Sequence, residues 1–282
     1  MTAGTATGGR TGPTSRLATG RFGSGEPVVL VHGSLFDGRR TWARQRVLAR
    51  HFRLIVPDRR GYGASPPASG EDFERDLDEI VDLLAGGAHL VGHSYGGIVA
   101  LLAAARAPER VRSLTAVEPP AFGLVRGDPA AESIIGRFEA VWARAADLSP
   151  RQLATDFLAA NGVDAGRLPD PLPPDLVRGA TLLADCRPPW EATFPFPLLR
   201  TAGFPALVVS GGHSAAYETV CDRLAAELRA ERAVVPGRGH AVPETGRPFN
   251  ALLTAFLQRQ PAGSPPAGRG AAPEPIDRNA TR

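Results

Sequence analysis

The chain has 282 residues, 43% of them hydrophobic, enough for one large core or for a core with a small accessory unit. Every basic residue is Arg, which excludes Lys nucleophiles and Schiff-base chemistry. The net charge is +3, but residues 1–25 and 260–282 carry +3 and +1, so the rest is nearly neutral and nothing points to a nucleic-acid partner.

Residues 1–25 are rich in Gly, Thr and Ala. They are expected to be a disordered tail, in which 15–21 could form an edge strand, and they lack the apolar segment of a signal peptide. Residues 27–31 are an apolar run that reads as a buried strand, ended by His32, Gly33 and Ser34. Residues 41–50 read as a helix with Trp42 and Val47 or Leu48 inward, and 52–56 as a second strand stopped by Pro57. The loop 58–65 follows, held by Asp58, Arg59 and Arg60 through ion pairs and hydrogen bonds. Residues 72–84 form an acidic amphipathic helix with Leu77, Ile80, Val81 and Leu84 on one face. A strand ending in Leu90 and Val91 runs through Ser94 into a helix that reaches Ala107. Residues 111–117 are a fourth strand, ended by Glu118, Pro119 and Pro120.

Between 123 and 203 no strand is predicted. Helices over 130–146, 150–160 and 175–185 read as a cap over a cleft, or as further helical packing. The sheet resumes at 205–210, followed by a helix over 216–230, a short strand at 233–235, the loop 237–240 and a closing helix over 245–258. Residues 260–282 are rich in Pro, Gly and Ala, another expected tail. This alternation predicts an α/β fold: a mostly parallel, doubly wound sheet built from 26–122 and 204–259, with a helical cap at 123–203. No apolar run approaches the ~20 residues of a membrane span. Cys186 and Cys221 form no Cys-x-x-Cys pair, which argues against a disulfide framework or a zinc motif. The expectation is a soluble, cytoplasmic protein with a small-molecule substrate, no membrane partner, no metal and no other cofactor, its oligomeric state left open.

The chemistry centres on Ser94, which stands between Gly92 and Gly96 at a strand-to-helix turn. Gly-x-Ser-x-Gly in that setting is a nucleophile elbow, where close backbones leave no room for a Cβ. A Ser that only caps the helix would explain the hydroxyl but not the glycines. A Ser hydroxyl needs a base, and His240, in the loop after the last strand, is the expected one among six histidines. His32 and His93 sit in tight turns that they are expected to brace. The backbone N–H of Tyr95 is expected in the oxyanion hole.

The strand order, His32 and Gly33, the loop 58–65, Gly92 to Gly96, and Gly239 with His240 together resemble the α/β-hydrolase superfamily over about residues 26–259. The resemblance implies a serine-nucleophile enzyme and makes the N–H of Ser34 the second oxyanion donor. It also implies an acid after the strand at 205–210, where this chain has Ser214. Some members resemble this chain in carrying the acid one strand earlier, which matches Glu118. Glu218 is the alternative, and the absence of a working acid a third outcome. The expected activity is hydrolysis of an ester, thioester or lactone through an acyl-enzyme. Non-hydrolytic chemistry (cyclase, lyase or perhydrolase) and ligand binding without turnover are the alternatives. Phe122, Trp142 and Trp190 are expected to bind a bulky apolar substrate.

Overall fold

The computed structural model describes residues 17–259. Its strands are β1 (Thr19–Phe22), β2 (Glu26–Val31), β3 (Phe52–Pro57), β4 (Ala88–His93), β5 (Val111–Val117), β6 (Ala206–Ser210) and β7 (Glu231–Val234). They form one sheet in the order β1-β3-β2-β4-β5-β6-β7. β1 is antiparallel to β3, and every other neighbouring pair is parallel. The expected tails at 1–16 and 260–282 lie outside the described residues. The edge strand expected within 15–21 is present as Thr19–Phe22, which pairs with β3 at the sheet edge, so the tail expected over 1–25 is too long.

The helices are α1 (Gly38–Thr41), α2 (Phe73–Leu83), α3 (Tyr95–Arg106), α4 (Pro129–Trp142), α5 (Pro150–Ala160), α6 (Pro174–Leu183), α7 (Phe196–Thr201), α8 (Ala215–Leu228) and α9 (Arg247–Gln258). The predicted helix over 41–50 is instead α1 followed by a 3-10 segment, Ala43–Arg50. Trp42 and Leu48 point inward, whereas Val47 is about half exposed. Buried Gln45 ties the segment to the far end of the chain, donating from Nε2 to Pro243 O and Asn250 Oδ1, both at 2.9 Å.

Central strands are apolar at consecutive positions because helices cover both faces. In β2, Val28 and Leu30 pack with Trp42, Leu48, Phe249 and Phe256, while Val29 and Val31 face the opposite layer with Ile98, Leu101 and Val220. This is the two-residue alternation of a strand, applied twice. The parallel register brings the carboxyl ends level: Val31 lies opposite Gly92, His93 opposite Val117, and Val117 opposite Val209. The residues that leave those ends therefore share one sheet edge, where ligands of such folds bind. The insertion that holds α4 to α7 leaves the sheet between β5 and β6, and α4, α5 and the segments near 161–168 and 186–190 line that edge. Hydrogen bonds that fasten this insertion include Tyr217 Oη to Asn161 Oδ1 at 2.8 Å and Tyr95 Oη to Arg187 O at 3.2 Å. Among the described residues, no helix is long and apolar enough to cross a membrane.

Candidate active site

Ser94 links β4 directly to α3 with φ 54° and ψ −128°, a conformation that costs about 1–3 kcal/mol for a residue with a side chain. The packing that forces it is visible at the flanking glycines. A Cβ on Gly92 would lie 2.2 Å from Gly96 O, and one on Gly96 would lie 2.3 Å from His32 O. Ser94 occupies the cap position of α3, yet its side chain makes no capping hydrogen bond. Its hydroxyl donates instead to His240 Nε2 at 2.8 Å.

The sheet ladder continues past the strand ends and sets the partners in place. Ser94 N donates to Val117 O at 2.9 Å, and Glu118 N donates to Val209 O at 2.8 Å. Glu118, with φ 49°, turns its fully buried carboxylate back toward the edge. His240 Nδ1 donates to Glu118 Oε2 at 3.1 Å, while Glu118 Oε1 accepts from Gly211 N at 2.5 Å. His93 Nε2 donates to His240 O at 2.8 Å, so the histidine next to the nucleophile fixes the backbone of the base. Sequence reasoning gave His93 only its own turn to brace.

Burial pushes His240 down to about 3, helped by His213, so the ring is neutral and its Nε2 is free to accept a proton. Burial pushes Glu118 up to about 7, opposed chiefly by His213 and by the N–H of Gly211. Above that point the carboxylate is charged and holds the Nδ1 proton, which leaves Nε2 as the base.

Glu218 does not reach this network. It accepts from Gly212 N at 3.0 Å and Ser210 Oγ at 2.8 Å, and pairs with Arg232 at 2.5 Å, so its carboxylate closes the turn into α8. Ser214 is the cap residue of α8. Where sequence reasoning kept Glu118, Glu218 and no acid open, the structure places Glu118 against the histidine.

The loop after β2 is braced on several sides. His32 Nδ1 donates to Gly33 O at 2.8 Å and its Nε2 accepts from Arg59 N at 2.8 Å. Burial, then the Arg59 charge, holds this ring well below the usual histidine range, which matches a neutral acceptor at Nε2. Arg59 is fully buried, pairs with Asp76 at 2.7 Å and Glu71 at 2.8 Å, and donates to Gly33 O at 3.1 Å. Leu35, at φ 69°, gives its N–H to Tyr62 Oη at 3.0 Å. Ser34 is thereby held beside Ser94, and the two line a narrow slot together with Tyr95. The amide of Tyr95 opens the first turn of α3, where an N–H has no partner within the helix.

Two recesses meet at Ser94. The narrow slot, about 20 Å³, is walled by Phe138, Trp142, Phe157, Trp190 and Tyr217. The wider cavity, about 350 Å³, is floored by Ser94, His93 and His240 and carries Arg40, Asp164, Arg238 and Glu244 on its walls. Trp142 and Trp190 thus line the slot beside Ser94. Phe122 does not: it is fully buried, edge-on to Tyr217 at 5.1 Å, and lines neither recess. The backbone after Pro120 turns it into the core rather than the cleft. His213 was missed. It reaches within 3.7 Å of Glu118, and with Glu118 and His240 it forms a cluster of possible metal donors.

A parallel sheet carrying a strained Ser between glycines, hydrogen-bonded to a His and through it to a carboxylate, defines a nucleophile-elbow α/β protein. The model of the alpha/beta hydrolase family matches residues 28–252, and the chain belongs to that family. It is 38% identical over 105 residues to the pimeloyl-[acyl-carrier protein] methyl ester esterase of Aeromonas salmonicida, a match covering 36% of this chain and 41% of that protein. It is 28% identical over 259 residues to a putative non-heme chloroperoxidase of Synechocystis sp., covering 84% of this chain and 93% of the relative. Among solved structures, a thermophilic esterase from Thermogutta terrifontis aligns with a TM-score of 0.60 at 28% identity, covering 86% of this chain and 93% of the other. The chain spans only about two fifths of the length of the first curated relatives it matches.

Proposed function

We propose that this protein is a serine hydrolase that cleaves an ester, thioester or lactone of a small molecule through an acyl-enzyme. The observation that carries the reading is the unbroken relay Ser94 Oγ, His240 Nε2, His240 Nδ1, Glu118 Oε2, with links of 2.8 and 3.1 Å. In the first half-reaction Ser94 Oγ attacks the carbonyl carbon while its proton passes to His240 Nε2. The carbonyl oxygen becomes an oxyanion, held by the N–H groups of Tyr95 and Ser34, each donor worth roughly 10²–10³ in rate. The tetrahedral centre collapses as His240 returns the proton to the leaving oxygen or sulfur. Water then attacks the acyl-Ser94 by the same route, giving up a proton to His240 that ends on Ser94 Oγ.

A serine-directed fluorophosphonate tests the nucleophile. It should label the wild type at one site and leave Ser94→Ala unlabelled; labelling that persists in the variant rejects the assignment. Ser214 at the usual acid position motivates the non-hydrolytic alternatives, and the hydrogen bond from His240 to Glu118 supports the hydrolase reading over them.

The two recesses make the reading more specific. One arm of the substrate enters the aromatic slot and must be small; the other occupies the wider cavity with charged groups on its walls. Esters bulky on both sides of the carbonyl should be poor substrates. Trp142→Ala opens the slot and should raise kcat/KM for such esters by about 10–200-fold relative to small ones, the range one apolar contact controls. An unchanged ratio across a series of p-nitrophenyl esters removes Trp142 from the substrate path.

A further inference from the structure

His213 stands beside the relay without a part in it. It follows β6 through Gly211 and Gly212, and only 15% of its side chain is exposed. Both ring nitrogens are buried, and neither has a hydrogen-bond partner among the described residues. Leaving such an atom unpaired costs about 1–3 kcal/mol, and the ring's Nδ1, the one that faces Glu118, calls for a ligand. Its Nδ1 lies 3.7 Å from Glu118 Oε2, the oxygen that His240 Nδ1 reaches at 3.1 Å. One ligand atom from each of the three residues lies within 4.8 Å of the others. Zinc bonded at ~2.0–2.2 Å in a tetrahedron holds its ligand atoms roughly 3.3 Å apart; the two separations from Glu118 bracket that spacing, and the histidine pair, within 4.8 Å, closes on the metal.

We propose that Glu118, His213 and His240 form an inhibitory site for a divalent transition metal of the zinc class. The inhibitory part rests on the serine-hydrolase reading; the binding part does not. Two imidazoles and one carboxylate suit zinc and exclude magnesium and calcium, which take oxygen ligands. The wide cavity reaches His240 itself, and Gly162 and Gly239 on its wall lie against the carbon side of the His213 ring.

The proton balance explains the inhibition. Zinc forms coordinate bonds to Glu118 Oε2, His213 Nδ1 and His240 Nδ1, with water in the fourth position. The proton that His240 Nδ1 shared with Glu118 moves to His240 Nε2, and nothing is oxidised or reduced. Nε2 then donates to Ser94 Oγ instead of accepting from it, so the serine loses its base. Removing the metal reverses every step.

Competition of the full-length protein with a chromophoric zinc chelator should show one tightly bound zinc per chain and no binding of magnesium. His213→Ala should weaken zinc binding by roughly 100-fold or more, since even residues behind a ligand contribute about 10–100-fold. His213→Asn, which keeps a polar group of similar reach, should do the same. In ester hydrolysis, zinc should silence the wild type, EDTA should restore it, and both variants should keep their own zinc-free rates at that zinc concentration. Variants that bind zinc as tightly as the wild type, or that zinc silences equally, would overturn the proposal. Zinc binding that depends on His213 in a protein with no esterase activity under chelation would instead fail the hydrolase reading and leave the site standing.

Discussion

His240→Ala is expected to lower kcat on a p-nitrophenyl ester by about 10⁶-fold, the loss seen when a serine hydrolase is deprived of its base. The hydroxyl of Ser94 is 2.8 Å from Nε2 and its residue is only 7% exposed, so bulk water is poorly placed to take the proton instead. Among the other histidines nearby, His93 gives its Nε2–H to the carbonyl of His240, and the His213 ring centre is 6.2 Å from that of His240, on the Glu118 side. Neither is set to replace it. On the proposed relay Ser94 and His240 act in one step, so Ser94→Ala should cost about as much, and the double variant no more than either single one. A His240→Ala enzyme that kept more than about a hundredth of wild-type turnover would place the base elsewhere. Independent, additive losses in the double variant would break the single-step coupling.

The candidate site is largely legible from sequence because most of its residues sit at strand ends, and strand ends are legible from apolar runs. Val28 to Val31 and Val111 to Val117 are buried on both faces, so their runs stop where the backbone leaves the sheet. That argument puts His32, Ser34, Ser94 and Glu118 on one edge; His240 comes separately, as an exposed ring in the loop after the last strand, and the structure buries it. The same reasoning prefers Glu118 to Glu218 because a strand end points to the edge while a helix start points away, and Glu218 does spend its carboxylate on its own turn. What escaped was set by tertiary register. His213 faces Glu118 only because Glu118 N hydrogen-bonds Val209 O, which levels β5 with β6, and no local pattern encodes that pairing. Phe122 was misplaced for the converse reason: it is near the edge in sequence, yet an aromatic ring one turn past a strand end can face core or cleft. The 3-10 form of Ala43–Arg50 was hidden because an inward Trp42 and Leu48 suit either helix type.

Glu118→Gln carries the second large effect, and pH separates it from a loss of packing. The amide of Gln can present only N–H or a neutral oxygen to His240 Nδ1. Without a charge to hold the Nδ1 proton, the tautomer with hydrogen on Nε2 is favoured, and that tautomer is no base. The expected fall in turnover is about 10⁴-fold. In the wild type the same inactivation should be reached by acid. Glu118 is pushed up to about 7 by burial, whereas His240 is pushed down to about 3. As pH falls through 7, Glu118 gains a proton and donates it to Nδ1, and the imidazole proton passes to Nε2. With EDTA present to exclude metal, kcat/KM should therefore drop about tenfold per pH unit below that point, well above any protonation of the imidazole itself. Above pH 7 the carboxylate is charged and activity should level off. In Glu118→Gln the group that titrates is gone, so the residual rate should be flat between about pH 5 and 8. An acid limb that survives at the same pH in the Gln variant would assign the titration to His240 and leave Glu118 no part in setting the tautomer.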